Sequence, residues 1–101
     1  MKVKYPAIFT PKRKEGTCRV FFPDLEHESE IAYDTAGQLK ARSAEELGFA
    51  LWLCEDSGKS FPLPGSVKSR NLSDGAFMDV VELDYDRFKQ GVTVKVIDIW
   101  S

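Results

Sequence analysis

Three sets of side chains in this 101-residue chain are of a type that could do chemistry. His27, the one histidine, sits between Glu26 and Glu28. As a general base it needs a nucleophile in hydrogen-bond reach and a partner to orient it. No G-x-S-x-G or similar setting is present. Glu26, Glu28 and Glu30 alternate along an extended backbone, which is no metal-ligand spacing. His27 therefore reads as an exposed loop residue.

The second set is Asp79, Glu82, Asp84 and Asp86. Carboxylates that hold paired Mg²⁺ ions for phosphodiester cleavage must converge on one point. Asp79 and Glu82 fall on opposite faces of a strand, and Asp84 and Asp86 read as turn residues. The third set, Lys12, Arg13, Lys14 and Arg19 with Tyr5 and Phe9 nearby, resembles a nucleic-acid patch but offers few phosphate contacts. Gly16, Gly37 and Gly48 are isolated, so there is no phosphate-cradling loop. No catalytic, metal or cofactor site is expected, and the chain reads as a non-enzyme.

Composition supports surfaces over chemistry. Hydrophobic residues make up 43% and aromatics 12%, enough for a packed core. The formal charge of -2 supplies no general attraction to nucleic acid or anionic membrane. Charge is nonetheless segregated. Lys2, Lys4, Lys12, Arg13, Lys14 and Arg19 crowd the start, and Asp24, Glu26, Glu28, Glu30 and Asp34 follow. Cys18 and Cys54 lack CxxC spacing and read as buried thiols in a reducing cytoplasm; neither a signal peptide nor a transmembrane run is expected.

These residues must be positioned by a small set of elements. Val3, Tyr5, Ala7 and Phe9 alternate with Lys2, Lys4, Pro6, Ile8 and Thr10, the period of a half-buried strand. Pro6 removes a ladder donor and predicts an edge, or a solvent-facing position, there. A polar turn ending in Gly16 leads to strand two, with Cys18, Val20 and Phe22 on one face, and Pro23-Asp24 ends it. Leu25 to Ser29 reads as an acidic connection, followed by a short third strand over Glu30 to Tyr33.

A helix is predicted from Gln38 to Asp56, capped by Asp34 or Thr35 and stopped at Ser57-Gly58. Leu47, Ala50, Leu51 and Cys54 form its stripe, with Ala44 a turn earlier. Gly48 marks close packing against another backbone. Phe49, Trp52 and Leu53 lie off the stripe and need a second cover, either another protein or the Pro-containing segment folding back over Trp52. That segment, Lys59 to Gly75, is a long loop that Phe61 and Leu63 should pack down. Strand four covers Ala76 to Leu83, a single helical turn follows over Tyr85 to Gln90, and Val92 to Trp100 is a fifth strand. The expected fold is one α+β domain over residues 1–101, in the order β-β-β-α-β-β, with a mostly antiparallel sheet covered by one main helix.

Tyr5-Pro6-Ala7-Ile8-Phe9-Thr10-Pro11 and Val20-Phe21-Phe22-Pro23-Asp24-Leu25 resemble the opening hairpin of the HicB antitoxin family of type II toxin-antitoxin systems. Ala44-Glu45-Glu46-Leu47-Gly48, the Trp52-Leu53 pair, Gly58 with Phe61-Pro62-Leu63-Pro64, and Val80-Val81-Glu82-Leu83-Asp84 continue the likeness to about residue 88. The departures are Glu26-His27-Glu28-Ser29, where many members turn with Pro-Gly-Cys, and a helix start without the usual acidic run. Residues 92–101 add a terminal strand, and no helix suited to a major groove follows it, so DNA binding is not expected of this stretch.

The resemblance implies a partial RNase H-like fold without its catalytic carboxylates. It also implies a partner, a small HicA-type RNA-cleaving toxin with a double-stranded-RNA-binding-like fold and a catalytic histidine, and self-association. The expected function is neutralisation of that toxin by protein–protein contact. Asp24, Glu26, Glu28 and Glu30 would face its RNA-binding surface, and Phe49, Trp52 and Phe61 would anchor. The alternative is an orphan dimerising scaffold that pairs through Val94, Val96, Ile97, Ile99 and Trp100. A residual metal-dependent nuclease is the third and weakest reading.

Overall fold

A computed structural model of the chain describes residues 1–65, 72 and 75–91. Within them a four-stranded antiparallel sheet has the order β3-β2-β1-β4, built from β1 (Lys2–Lys12), β2 (Thr17–Phe22), β3 (His27–Ala32) and β4 (Phe77–Asp84). One long helix, α1 (Ala36–Asp56), leaves edge strand β3, lies against one face, and delivers the chain towards the other edge. A short helix, α2, follows β4 over residues 85–91. The α+β class and the first four strands agree with expectation. The predicted fifth strand, with Val94, Val96, Ile97, Ile99 and Trp100, lies outside the described residues.

Alternation places Tyr5, Ala7 and Phe9 of β1, Cys18, Val20 and Phe22 of β2, and Ile31 and Val81 on the helix side of the sheet. Leu39, Leu47 and Leu51 of α1 close over them. Each fully covered aliphatic or aromatic side chain contributes about 1.5–3 kcal/mol relative to exposure. Ser43 also lies on the buried stripe, where its hydroxyl donates to the Leu39 carbonyl at 2.6 Å. That local bond lets a polar residue sit in the core.

Pro6 sits in an interior strand of the sheet. It pairs with Val80 on the β4 side, while the β1–β2 register begins only at Ile8↔Phe21. The local edge that proline requires is therefore real. It does not face solvent, because Pro6 is buried.

The helix is fixed at both ends by local chemistry. Thr35 Oγ1 accepts the Gln38 N–H at 3.2 Å, and the Gln38 side chain accepts the Asp34 N–H at 2.8 Å. This reciprocal cap starts α1 two residues before the predicted Gln38. At the other end the Gly58 N–H donates to the Glu55 carbonyl and the Lys59 N–H to the Cys54 carbonyl, with Gly58 at φ 74°. These two bonds form a Schellman stop, and the positive φ requires glycine or a near substitute.

The charges that are segregated in sequence meet in space. β2 lies between β1 and β3, so Arg19 of β2 pairs with its neighbour Glu28 at 2.9 Å, and Lys12 of β1 reaches across β2 to Glu30 at 3.2 Å. Lys4 meets Glu82 across β1–β4 at 3.9 Å. The Thr17 hydroxyl first, and Lys12 second, hold the Glu30 carboxyl below its ordinary range. All three pairs are exposed, so each adds at most about 1 kcal/mol.

Candidate interaction surface

Asp24 and Glu26 occupy the turn between β2 and β3, and β3 begins at His27, earlier than the predicted Glu30. His27 is thus a strand residue, half-buried, with its ring nitrogen 3.2 Å from Glu46 of α1 and its ring 6.5 Å from that of Phe22. The exposed-loop reading of His27 is corrected. Its partner lies 19 positions away, a separation that local sequence does not reveal.

The turn, the end of α1 and the segment after it enclose a groove of about 520 Å³. Asp24, Glu26 and His27 form one wall, Ala50, Leu53 and Cys54 another, and Lys59, Ser60 and Pro62 the rim. Three bonds hold it open: Asp24 accepts the Gly65 N–H at 3.0 Å, Tyr5 donates to the Pro62 carbonyl at 2.6 Å, and the Cys54 thiol points at the Ser60 carbonyl at 3.4 Å. Glu26 holds a left-handed backbone, φ 49°, at the corner. A branched acidic side chain there costs roughly 1 kcal/mol relative to glycine.

Leu53 is shared with a second hollow of about 350 Å³, lined by Phe49, Trp52, Leu53 and Asp56. Phe49 and Trp52 are about two-fifths exposed and Leu53 is 62% exposed. Their rings are 6.5 Å apart and 23° from parallel. Phe88 of α2 meets Phe49 edge-on at 5.1 Å, so the outer aromatic ring is seated on an inner one. The described part of the Pro-containing segment does not cover Trp52. It turns the other way: Phe61 packs edge-on against Tyr85 at 5.2 Å and joins the core margin, while Leu63 stays exposed.

Of the residues expected to meet a partner, Asp24, Glu26, Phe49 and Trp52 border these two adjoining hollows. Glu28 and Glu30 alternate to the face away from the helix and are engaged by Arg19, Lys12 and Thr17. Phe61 points inward. Leu53, Asp56 and Cys54 were not in the expected set, although Leu53 was visibly off the helix stripe. Cys54 is only part-buried, which corrects its reading as a buried thiol; Cys18 is fully buried.

Glu82, Asp84 and Asp86 of the second acidic set are split between two cations, and Asp84 and Asp86, read as turn residues, lie at the end of β4 and in α2. Glu82 meets Lys4, and Asp84 and Asp86 meet the Met1 amine. Among the described residues no three His, Cys, Asp or Glu side chains are grouped to hold a metal ion. Nor is any described helix long and apolar enough to cross a membrane. Among the described residues Tyr85 is the one strongly perturbed group: its hydroxyl is buried with no hydrogen-bond partner among them, and burial, then nearby Glu55, push the phenol far above its ordinary value.

Compared with solved structures, the chain is similar to a chain of the toxin–antitoxin complex from Streptococcus pneumoniae. The match has a TM-score of 0.69 at 25% sequence identity and covers 87% of this chain and 73% of that one. No protein-family model matches the sequence, and no curated protein matches it.

Proposed function

We propose that this chain is the antitoxin member of a toxin–antitoxin pair, a HicB-like, partial RNase H-like domain that neutralises a small HicA-type RNA-cleaving toxin by contact. The observation that carries the proposal is the fold shared with the pneumococcal toxin–antitoxin complex over 87% of the chain. The YPAIFTP and FPDL stretches favour the antitoxin side. The uncovered aromatic ridge beside an acidic turn supplies a physical means: apolar anchors give hold, and acidic groups speed encounter with a cationic partner. Function by contact needs no catalytic group, and the domain is proposed to be a non-enzyme acting in the cytoplasm.

The test is co-expression with the product of a neighbouring small open reading frame. Growth inhibition by that protein, relieved by this chain, is the expected result. A harmless neighbour, or inhibition that persists, would overturn the reading.

A self-associating scaffold is the second reading. It draws on β4, an edge of the described sheet, with Phe77 and Val80 each 44% exposed. A mass by light scattering that stays monomeric at all concentrations would remove it.

A further inference from the structure

We infer that the hollow bounded by Phe49, Trp52, Leu53 and Asp56 is a socket for one arginine side chain of a basic partner segment. The inference deepens the proposal above and rests on it, since a protein that grips RNA presents cations. It assigns a specific chemistry to one place on the surface.

Three features of the hollow select arginine. Its walls are almost wholly apolar: two neighbouring aromatic rings and a leucine, suited to a methylene stem and to a flat cation lying against a ring face. Among the described residues its one acidic wall residue is Asp56, whose carboxylate can take a guanidinium in a paired bond. A planar fork satisfies both the rings and the carboxylate, whereas an ammonium satisfies mainly the charge.

Charge around the hollow points the same way. Asp24 and Glu26 stand across Leu53 in the adjoining groove, with Lys59 the one lysine or arginine of its lining among the described residues. Among the described residues none of Asp24, Glu26 and Asp56 forms an ion pair. The neighbouring carboxylates Glu46 and Glu55 are instead engaged, by His27 and Lys89. Glu26 and Asp56, unpaired among the described residues, thus face an incoming basic segment, with Asp24, which accepts the Gly65 N–H, beside them. The socket is also preformed, because Phe88 backs Phe49, so little ordering cost attends binding.

The probe is a capped tri-arginine peptide, titrated into the full ¹⁵N-labelled chain, beside the tri-citrulline peptide of the same shape without charge. The expected result is amide shifts centred on Phe49, Trp52, Leu53 and Asp56 with arginine and none with citrulline. Asp56→Asn and Trp52→Ala should each weaken binding about three- to tenfold, and Trp52→Phe should restore part of it. Shifts centred elsewhere, equal response to citrulline, or an unaltered Asp56→Asn titration would overturn the socket. So would shifts at these residues that follow protein concentration without peptide, since the occupant would then be a second copy. If growth rescue holds while the titration fails, only the socket is lost; if the titration succeeds while rescue fails, the socket stands and the toxin-binding role falls.

Discussion

A Cβ placed on Gly48 would lie 2.7 Å from three ring carbons of Phe88. The middle of α1 is therefore hollowed to receive a ring from α2, and the close approach is to a side chain rather than to the backbone that the sequence suggested. The same Phe88 ring supports Phe49 edge-on and lies 6.3 Å from Tyr85. One missing methyl group links the seating of the short helix to the shape of the candidate surface.

Gly48→Ala should lower stability by about 1 kcal/mol, because overpacking of about 1–3 kcal/mol outweighs the gain in helix propensity of up to about 1 kcal/mol. In a Phe88→Ala background the clash is gone, and the same change should be neutral or stabilising. Urea denaturation of the four proteins measures the coupling. A stabilised Gly48→Ala single variant would mean that Phe88 swings aside freely and does not hold Phe49.

Burial raises the phenols of Tyr5 and Tyr85 above the ordinary value of 10.0, with Asp24 adding to the first and Glu55 to the second. Both are held neutral when folded, so above pH 10 the unfolded chain releases protons that the folded chain keeps. The stability they contribute is complete below that pH and falls as pH rises. Tyr85→Phe should flatten this alkaline loss. At pH 7 it should be neutral, or stabilising by up to about 1 kcal/mol, because it removes a buried hydroxyl without a partner. Denaturation midpoints at pH 7 and pH 11 decide it; an unchanged alkaline slope would count against the burial argument.

The strands were legible wherever one face alone is buried. Tyr5, Ala7 and Phe9, and Cys18, Val20 and Phe22, alternate with Lys4, Ile8, Thr17, Arg19 and Phe21, which are less buried, and only Pro6 breaks the pattern. β3 was harder: His27, Glu28 and Ser29 read as a loop, yet their register against Phe22, Phe21 and Val20 makes them strand. Cross-strand pairing to Arg19 and Lys12 overrides the weak strand propensity of glutamate. The exposure of Phe49 and Trp52 was half legible, since periodicity put them off the stripe but could not say which way the following segment turns. That direction is set by Tyr5 reaching Pro62 and by Asp24 reaching Gly65, contacts 57 and 41 positions apart. Asp56 entered the candidate site only through the fold of α1 beside its own aromatic neighbours.

The two thiols should differ in reactivity. Cys18 is fully buried, and burial raises its pKa, so little thiolate forms and little reagent reaches it. Cys54 lines the open groove. Native protein should therefore label once quickly with an aromatic disulfide reagent and a second time only on unfolding. Two thiols reacting at equal rates in the native state would contradict the burial of Cys18.

Trp52 and Phe61 were both expected to anchor a partner, and the structure separates them. Trp52 is 40% exposed on the outer flank of α1, whereas Phe61 packs on Tyr85 at the core margin. Trp52→Ala should change stability little, by about 1 kcal/mol or less, because much of the ring is already in water. It should weaken binding to the proposed toxin partner by about 2 kcal/mol or more, the loss typical of a central aromatic anchor. Phe61→Ala should do the reverse, losing about 2 kcal/mol or more of stability by opening a cavity beside Tyr85 and moving affinity little once folded. Thermal denaturation and calorimetric titration on both variants give the two numbers independently. If Trp52→Ala unfolds the chain or leaves affinity intact, the aromatic ridge is structural, and the partner must be gripped elsewhere.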